Sequence, residues 1–192
     1  TMGFVKIDAE MSLHEHSHRP IEGRILSVGR QNILPTGTEV LELLEERNIK
    51  CLNPDFQKNV HDTHGAGNDE AISDESFFGA FSTANYEVAD ISPYEAADYI
   101  FDICEGVPDD MIGQFDFIVD GGSLDNVFDP LSMLRNMAKM LKPGGRMFVW
   151  AWSEMFPSAY VKITPDFILD YCAVNEFADA KVYVITCDMI EQ

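Results

Sequence analysis

Phe115 to Val149 reads FDFIVDGGSLDNVFDPLSMLRNMAKMLKPGGRMFV, and it contains a complete strand, helix and strand in order. Phe115-Asp116-Phe117-Ile118-Val119-Asp120 is a short apolar run of the kind a buried strand needs. Gly121-Gly122 ends it. Asp129 and Pro130 supply a helix cap and first position, and Leu134, Met137, Ala138 and Leu141 follow at i, i+3, i+4 and i+7. Lys142-Pro143-Gly144-Gly145 then stops the helix, since proline cannot continue it and glycine accepts the positive φ of a turn. Arg146 to Trp152 begins the next strand.

Working outward, the same alternation recurs. Arg24-Ile25-Leu26-Ser27-Val28-Gly29 predicts the first strand and its turn, Tyr86 to Asp90 the second, and Ala97 to Cys104 the third. Phe77, Phe78 and Phe81 form one helical face after a cap at Ser73, and Val40, Leu41, Leu43 and Leu44 form another within Thr38 to Arg47. Beyond the quoted stretch, Thr164-Pro165 opens a helix through Phe167, Ile168, Tyr171 and Cys172, and Lys181 to Thr186 predicts a last strand. Strands alternating with helices indicate an α/β fold, a doubly wound, mostly parallel sheet, within one domain spanning 1–192. Residues 1–20 show no apolar period and read as an N-terminal arm. Residues 37–74, helical at first and then polar and unpatterned, read as an insertion or lid, or as a plain surface excursion.

The chain carries 33 acidic against 13 basic residues, a formal charge of −20. Such a field repels a phosphate backbone, so nucleic acid is an unsuitable partner, whereas a neutral or cationic small molecule is compatible with it. No run of about 18 apolar residues occurs, so no membrane span is expected. The four cysteines are widely spaced and unpaired in pattern, which fits a reducing, cytoplasmic setting. His14, His16 and His18 alternate, and His61 and His64 stand close together, but both groups sit in unpatterned segments and no metal site is assigned to them. No G-x-S-x-G elbow, P-loop or H-E-x-x-H is present.

The strand ending in an acid, the S-L-D-N-V segment, the helix and L-K-P-G-G together resemble class I S-adenosylmethionine-dependent methyltransferases, over roughly residues 24–187. That resemblance implies a cofactor, S-adenosyl-L-methionine, bound beyond the carboxyl ends of the strands. It implies methyl transfer to a small-molecule acceptor, oxygen ahead of nitrogen or carbon, with a transferase-dead binding or assembly protein as the alternative. Asp90 would receive the ribose diol and Asp102 the adenine amino group. Ser27, Gly29, Ile91, Ile103, Asp120, Gly121 and Gly122 would complete the cofactor site, and Asp125 is the one candidate catalytic acid-base group. Each acid also reads as an ordinary loop or cap carboxylate, and the two glycines as a turn. Trp150, Trp152, Phe156 and Tyr160 read either as a pocket for a ring-bearing substrate or as core.

The chain departs from the family at four points. Ser27 to Ile33 keeps only the first glycine of G-x-G-x-G, with Arg30, Gln31 and Ile33 where small residues are usual. Gly29 and Asp90 stand 61 positions apart, about three times the usual separation. Asn126 replaces a common histidine and cannot serve as a base near neutral pH. One strand follows the helix at Pro165 where the family has an antiparallel pair, so either the sheet lacks one C-terminal strand or the chain stops short of it.

Overall fold

The computed structural model describes residues 3–56, 72–154 and 159–186. Five strands form one wholly parallel sheet in the order β5-β4-β1-β6-β7. They are β1 (Arg24–Val28), β4 (Asn85–Asp90), β5 (Tyr99–Ile100), β6 (Phe115–Gly121) and β7 (Leu141–Trp150). The two-residue strands β2 (Asn32–Ile33) and β3 (Ile72–Ser73) pair antiparallel beside the sheet. Helices α1 (Lys6–His18), α2 (Gly37–Glu46) and α3 (Asp74–Gly79) cover one face, where Leu13, Val40, Leu44, Phe77 and Phe78 pack on Ile25, Phe117 and Val119. Helices α4 (Pro130–Met140) and α5 (Pro165–Val174) cover the other, with Leu134, Met137 and Tyr171 against Leu26, Val28 and Ile118. Alternate residues of β1 and β6 thus feed opposite cores, as a strand buried on both faces requires.

The decisive stretch folds as its sequence reads. Asp129 accepts the Ser132 backbone N–H and caps α4, and Thr164 does the same for α5 through Phe167. One detail differs, because β7 begins at Leu141, ahead of the Lys-Pro-Gly-Gly stop. Leu141 pairs with Phe115 and Arg146 with Phe117, so β7 advances five residues while β6 advances two. The three extra residues bulge out around Gly144, whose φ of +79° suits glycine.

Four expectations need correction. Residues 1–20 are not a loose arm: α1 occupies 6–18 and buries Asp8, Ala9, Ser12 and Leu13, while Phe4 packs edge-on to Phe77. Small and polar residues make up most of that buried face, so no apolar period marks it. The stretch 37–74 is not a lid in its described parts. Its first ten residues are α2, capped by Thr36 and Glu39 in a mutual capping box and seated in the core; Phe56 is buried, and 72–73 is β3. Residues 57–71, with His61 and His64, lie outside the described residues. The third strand shrinks to Tyr99–Ile100, because Asp102 turns the chain by accepting the Cys104 backbone N–H. Lys181–Thr186 forms no strand and pairs with none among the described residues, where β7 is the edge of the sheet.

No described helix is long and apolar enough to cross a membrane, and no described cluster of His, Cys, Asp and Glu could hold a metal. His14, His16 and His18 lie on α1 rather than on an extended segment. His16 is half-buried against Phe81 and accepts the Ile21 N–H, and burial lowers its pKa.

Candidate functional site

Strand order reverses at β1: β4 and β5 lie to one side of it, β6 and β7 to the other. Turns after these strands therefore open away from one another and leave a crevice at their carboxyl ends. The turn after β1 starts at Gly29, with φ of +74°. A Cβ placed on Gly29 would lie 3.7 Å from Ser123 Oγ and 3.8 Å from Asp90 Oδ2. Three strand ends, β1, β4 and β6, thus deliver a glycine, a hydroxyl and a carboxylate to one point.

Each group is held by a local device. Ser27, at the end of β1, donates its hydroxyl to Gly29 O at 2.6 Å, and Ser123 donates to Val28 O at 3.1 Å, so both hydroxyls brace the glycine turn. Asp90 uses Oδ1 to accept the Ser92 N–H at 2.8 Å, which fixes its carboxylate at the mouth of the crevice. Ile91 follows with 70% of its surface exposed, an apolar side chain uncovered beside a carboxylate. Asp102 and half-buried Ile103 stand beyond β5 in the adjacent turn.

The turn after β6 is built around Asp120, which is fully buried and accepts the N–H groups of Ser123 (2.7 Å) and Leu124 (3.0 Å). Burial raises its pKa to about 7, against the lowering effect of those hydrogen bonds. Gly122, with φ of +114°, needs its lack of a side chain. Gly121 needs it too, since a Cβ there would collide with the Gln31 side-chain oxygen.

Asp125 lies in the single 3₁₀ turn Leu124–Asn126 and has no exposed surface. Its Oδ2 accepts the Trp152 N–H at 3.0 Å, and its carbonyl accepts from Tyr160 (2.7 Å) and Val161 (3.1 Å). Burial raises its pKa. The residue ties the turn after β6 to the segment after β7.

Three residues of the site, Ser123, Phe128 and Asp74, were not singled out by the sequence. Ser123 follows the glycine pair and opens the S-L-D-N-V segment, the two signals that pointed to it. Phe128, 91% exposed, stacks on Tyr160 with ring centroids 5.1 Å apart, an aromatic platform standing free of the core. Asp74, fully buried at the start of α3, accepts the Gln31 N–H at 2.9 Å and pairs with Arg30 at 3.1 Å. Gln31 is itself buried, with Oε1 unpartnered among the described residues and Nε2 near Val28 O and Gly29 O. Arg30 therefore does not point a bare charge into the crevice: Asp74 neutralises it, and it clamps the carbonyls of Glu95 and Ala96.

Of the expected aromatics, Trp150 and Trp152 meet edge to face and line a cavity of about 110 Å³ with Thr164 and Ile168; Phe156 lies outside the described residues.

No protein-family model matches the chain, and no curated protein matches it. Among solved structures it is similar to the trans-methyltransferase CalH in complex with SAH, with 20% identity and a TM-score of 0.36. The match covers 85% of this chain and 38% of that one, so the chain spans well under half of that protein's length.

Proposed function

We propose that this chain binds S-adenosyl-L-methionine across the carboxyl ends of β1, β4, β5 and β6 and transfers a methyl group to a small-molecule acceptor, oxygen ahead of nitrogen or carbon. The observation that carries the reading is the convergence of Gly29, Asp90 and Ser123 within 4 Å of one point where strand order reverses. The residues present fit the group. Gly29 leaves backbone open where bulky atoms must come close, and the Asp90 carboxylate has one oxygen left uncommitted among the described residues to accept from a diol. Ile91 and Ile103 offer apolar surface for an adenine ring, and Asp102 an acceptor for its amino group. Ser27, Asp120, Gly121 and Gly122 shape the wall between them.

When bound, the cofactor supplies an electrophilic methyl on a sulfonium. The chain's task is then to hold the acceptor's nucleophile in line and to exclude water, which demands little acid-base chemistry of the protein. Phe128 and Tyr160 form a surface on which a flat acceptor stacks. Asp125 is better suited to positioning that surface than to proton transfer, because it reaches Tyr160 through its carbonyl and presents no carboxylate outward.

A second reading has its own observation. Gln31 and Arg30 occupy the turn where glycines usually stand, and the Gln31 N–H is already committed to Asp74. A protein that kept this fold for binding or assembly alone would tolerate both. Calorimetric titration with S-adenosylmethionine and S-adenosylhomocysteine separates the two. Binding in the micromolar range supports the cofactor site, and no heat at millimolar ligand removes it.

A further inference from the structure

Strand order fixes which way a nucleoside cofactor lies. With its ribose at Asp90 after β4 and its adenine at Asp102 after β5, the rest of the molecule extends across β1 toward β6, because the sheet runs β5-β4-β1-β6. Two glycines stand on that path, Gly29 in the turn after β1 and Gly121 at the end of β6. Each leaves room that a side chain would fill.

That room is already taken. Gln31 lays its side chain between the two glycines: Nε2 lies 4.0 Å from where a Cβ on Gly29 would stand, and Oε1 sits where a Cβ on Gly121 would go. Gln31 is only 2% exposed, so its amide fills the gap rather than standing over it. Phe4, with Cε1 2.7 Å from the same Gly121 position, closes the gap from the core beneath α1.

The amide is poorly bonded in this place. Nε2 reaches Val28 O at 3.5 Å and Gly29 O at 3.4 Å, the outer limit for such bonds, and Oε1 has no partner among the described residues. The backbone beneath it is firmly held, since Asp74 accepts the Gln31 N–H at 2.9 Å. The side chain can therefore turn to another rotamer without unfastening the turn that carries it.

We propose that Gln31 sets which ligands the crevice accepts: its side chain is a plug that a nucleoside leaves in place and that the aminoacyl chain of S-adenosylmethionine or S-adenosylhomocysteine displaces. The inference rests on the cofactor reading and adds to it a residue that ranks ligands by their tails. A ligand that keeps the nucleoside and the thioether but lacks the aminoacyl chain, 5′-methylthioadenosine, needs no displacement. Displacing the plug uncovers a buried amide and reopens the space beside Gly121, which weakens the binding of the longer ligand.

Calorimetric titration of the full chain tests this with the two thioethers. Wild type should bind 5′-methylthioadenosine at least tenfold more tightly than S-adenosylhomocysteine. Gln31→Ala empties the gap and should tighten S-adenosylhomocysteine at least tenfold, while changing 5′-methylthioadenosine less than threefold. Gln31→Met, of similar length and without the amide, should keep the wild-type ranking. Circular dichroism checks that both variants fold, and the wild-type ranking decides alone if Gln31→Ala does not. A wild-type chain that binds S-adenosylhomocysteine as tightly as 5′-methylthioadenosine overturns the proposal. So does a folded Gln31→Ala that weakens S-adenosylhomocysteine, leaves it unchanged, or shifts both ligands equally. Neither ligand binding to any of the three proteins overturns the cofactor reading itself and this inference with it, a result distinct from the others.

Discussion

The turn after β1 and the turn after β6 face the same crevice, yet the first is held from outside and the second from within. Gln31 N–H and Arg30 are fastened by Asp74, which stands 43 and 44 residues further along the chain. The second turn is closed by Asp120 onto residues three and four positions away. A turn held within itself keeps its shape wherever β6 is formed. A turn held by a distant ion pair keeps its shape only when α3 is docked, so its geometry depends on tertiary structure. This difference also accounts for how the chain manages without a run of glycines: side chains of Asp74 and Arg30 fix a backbone that glycine would otherwise leave free to adapt.

Removing the outside partner tests that contrast most severely. Asp74→Ala strands a largely buried guanidinium and a buried N–H, and breaking a buried pair in this way costs about 3–5 kcal/mol. Urea unfolding should show that loss in the midpoint. A loss under about 1 kcal/mol would mean that the turn does not rely on α3.

The inside device should declare itself through pH. Asp120 has a folded pKa of about 7 against a usual 3.8, so the native state holds a proton that the unfolded chain releases. Its contribution is fully present below pH 3.8 and is lost as pH rises through about 7. Wild-type stability should therefore decline by up to a few kcal/mol from pH 4 to 7, and Asp120→Asn should flatten part of that decline. Asp8, raised to about 6 by burial, adds a smaller decline of the same sign that the substitution leaves in place. Unfolding at several pH values with parallel slopes for both proteins would show that Asp120 is ionised throughout.

Where the two turns meet the β4 end, Asp90→Ala should weaken S-adenosylhomocysteine binding by about 1–3 kcal/mol, from roughly fivefold to somewhat over a hundredfold, through loss of a charged acceptor. Calorimetry reads this directly. The smallest effect is expected at Asp125→Ala, which should alter that affinity less than about twofold while loosening the segment after β7, since the residue reaches Trp152 and Tyr160 rather than the crevice. Equal losses from the two substitutions would place the crevice elsewhere.

The contrast also explains what could be read in the sequence. Asp129-Pro130, Thr164-Pro165 and the apolar runs of β1, β4 and β6 act through neighbours in the chain, so local pattern discloses them. The doubly wound sheet follows from those elements. Asp74 and Gln31 act through contacts between distant segments, and nothing in their own neighbourhood announces a partner. Helix α1 escaped notice because Asp8 and Ser12 lie on its buried face, where an apolar period would have been the signal. Lys181–Thr186 shows the reverse case. It has a strand's composition, but pairing requires a partner edge, and composition alone supplies none. Within the candidate site, Asp90, Gly29 and the Gly121-Gly122 pair were legible as ends of strands. Phe128 was not, because a lone exposed aromatic looks like any other until Tyr160 is folded beside it.

The placement of β1 at the centre of the sheet bears on how quickly the chain can fold. Arg24 pairs with Asn85 and Ile25 with Phe117, separations of 61 and 92 residues. Closing loops of that length costs chain entropy before either pairing is rewarded, and parallel pairings of this kind are intrinsically slow. The helices can form early, from local information. The central strand has to wait for β4 and β6 to arrive, and until then Ile25, Leu26 and Val28 are exposed to whatever other chain is nearby. The site at its carboxyl end is therefore among the last parts of the molecule to exist.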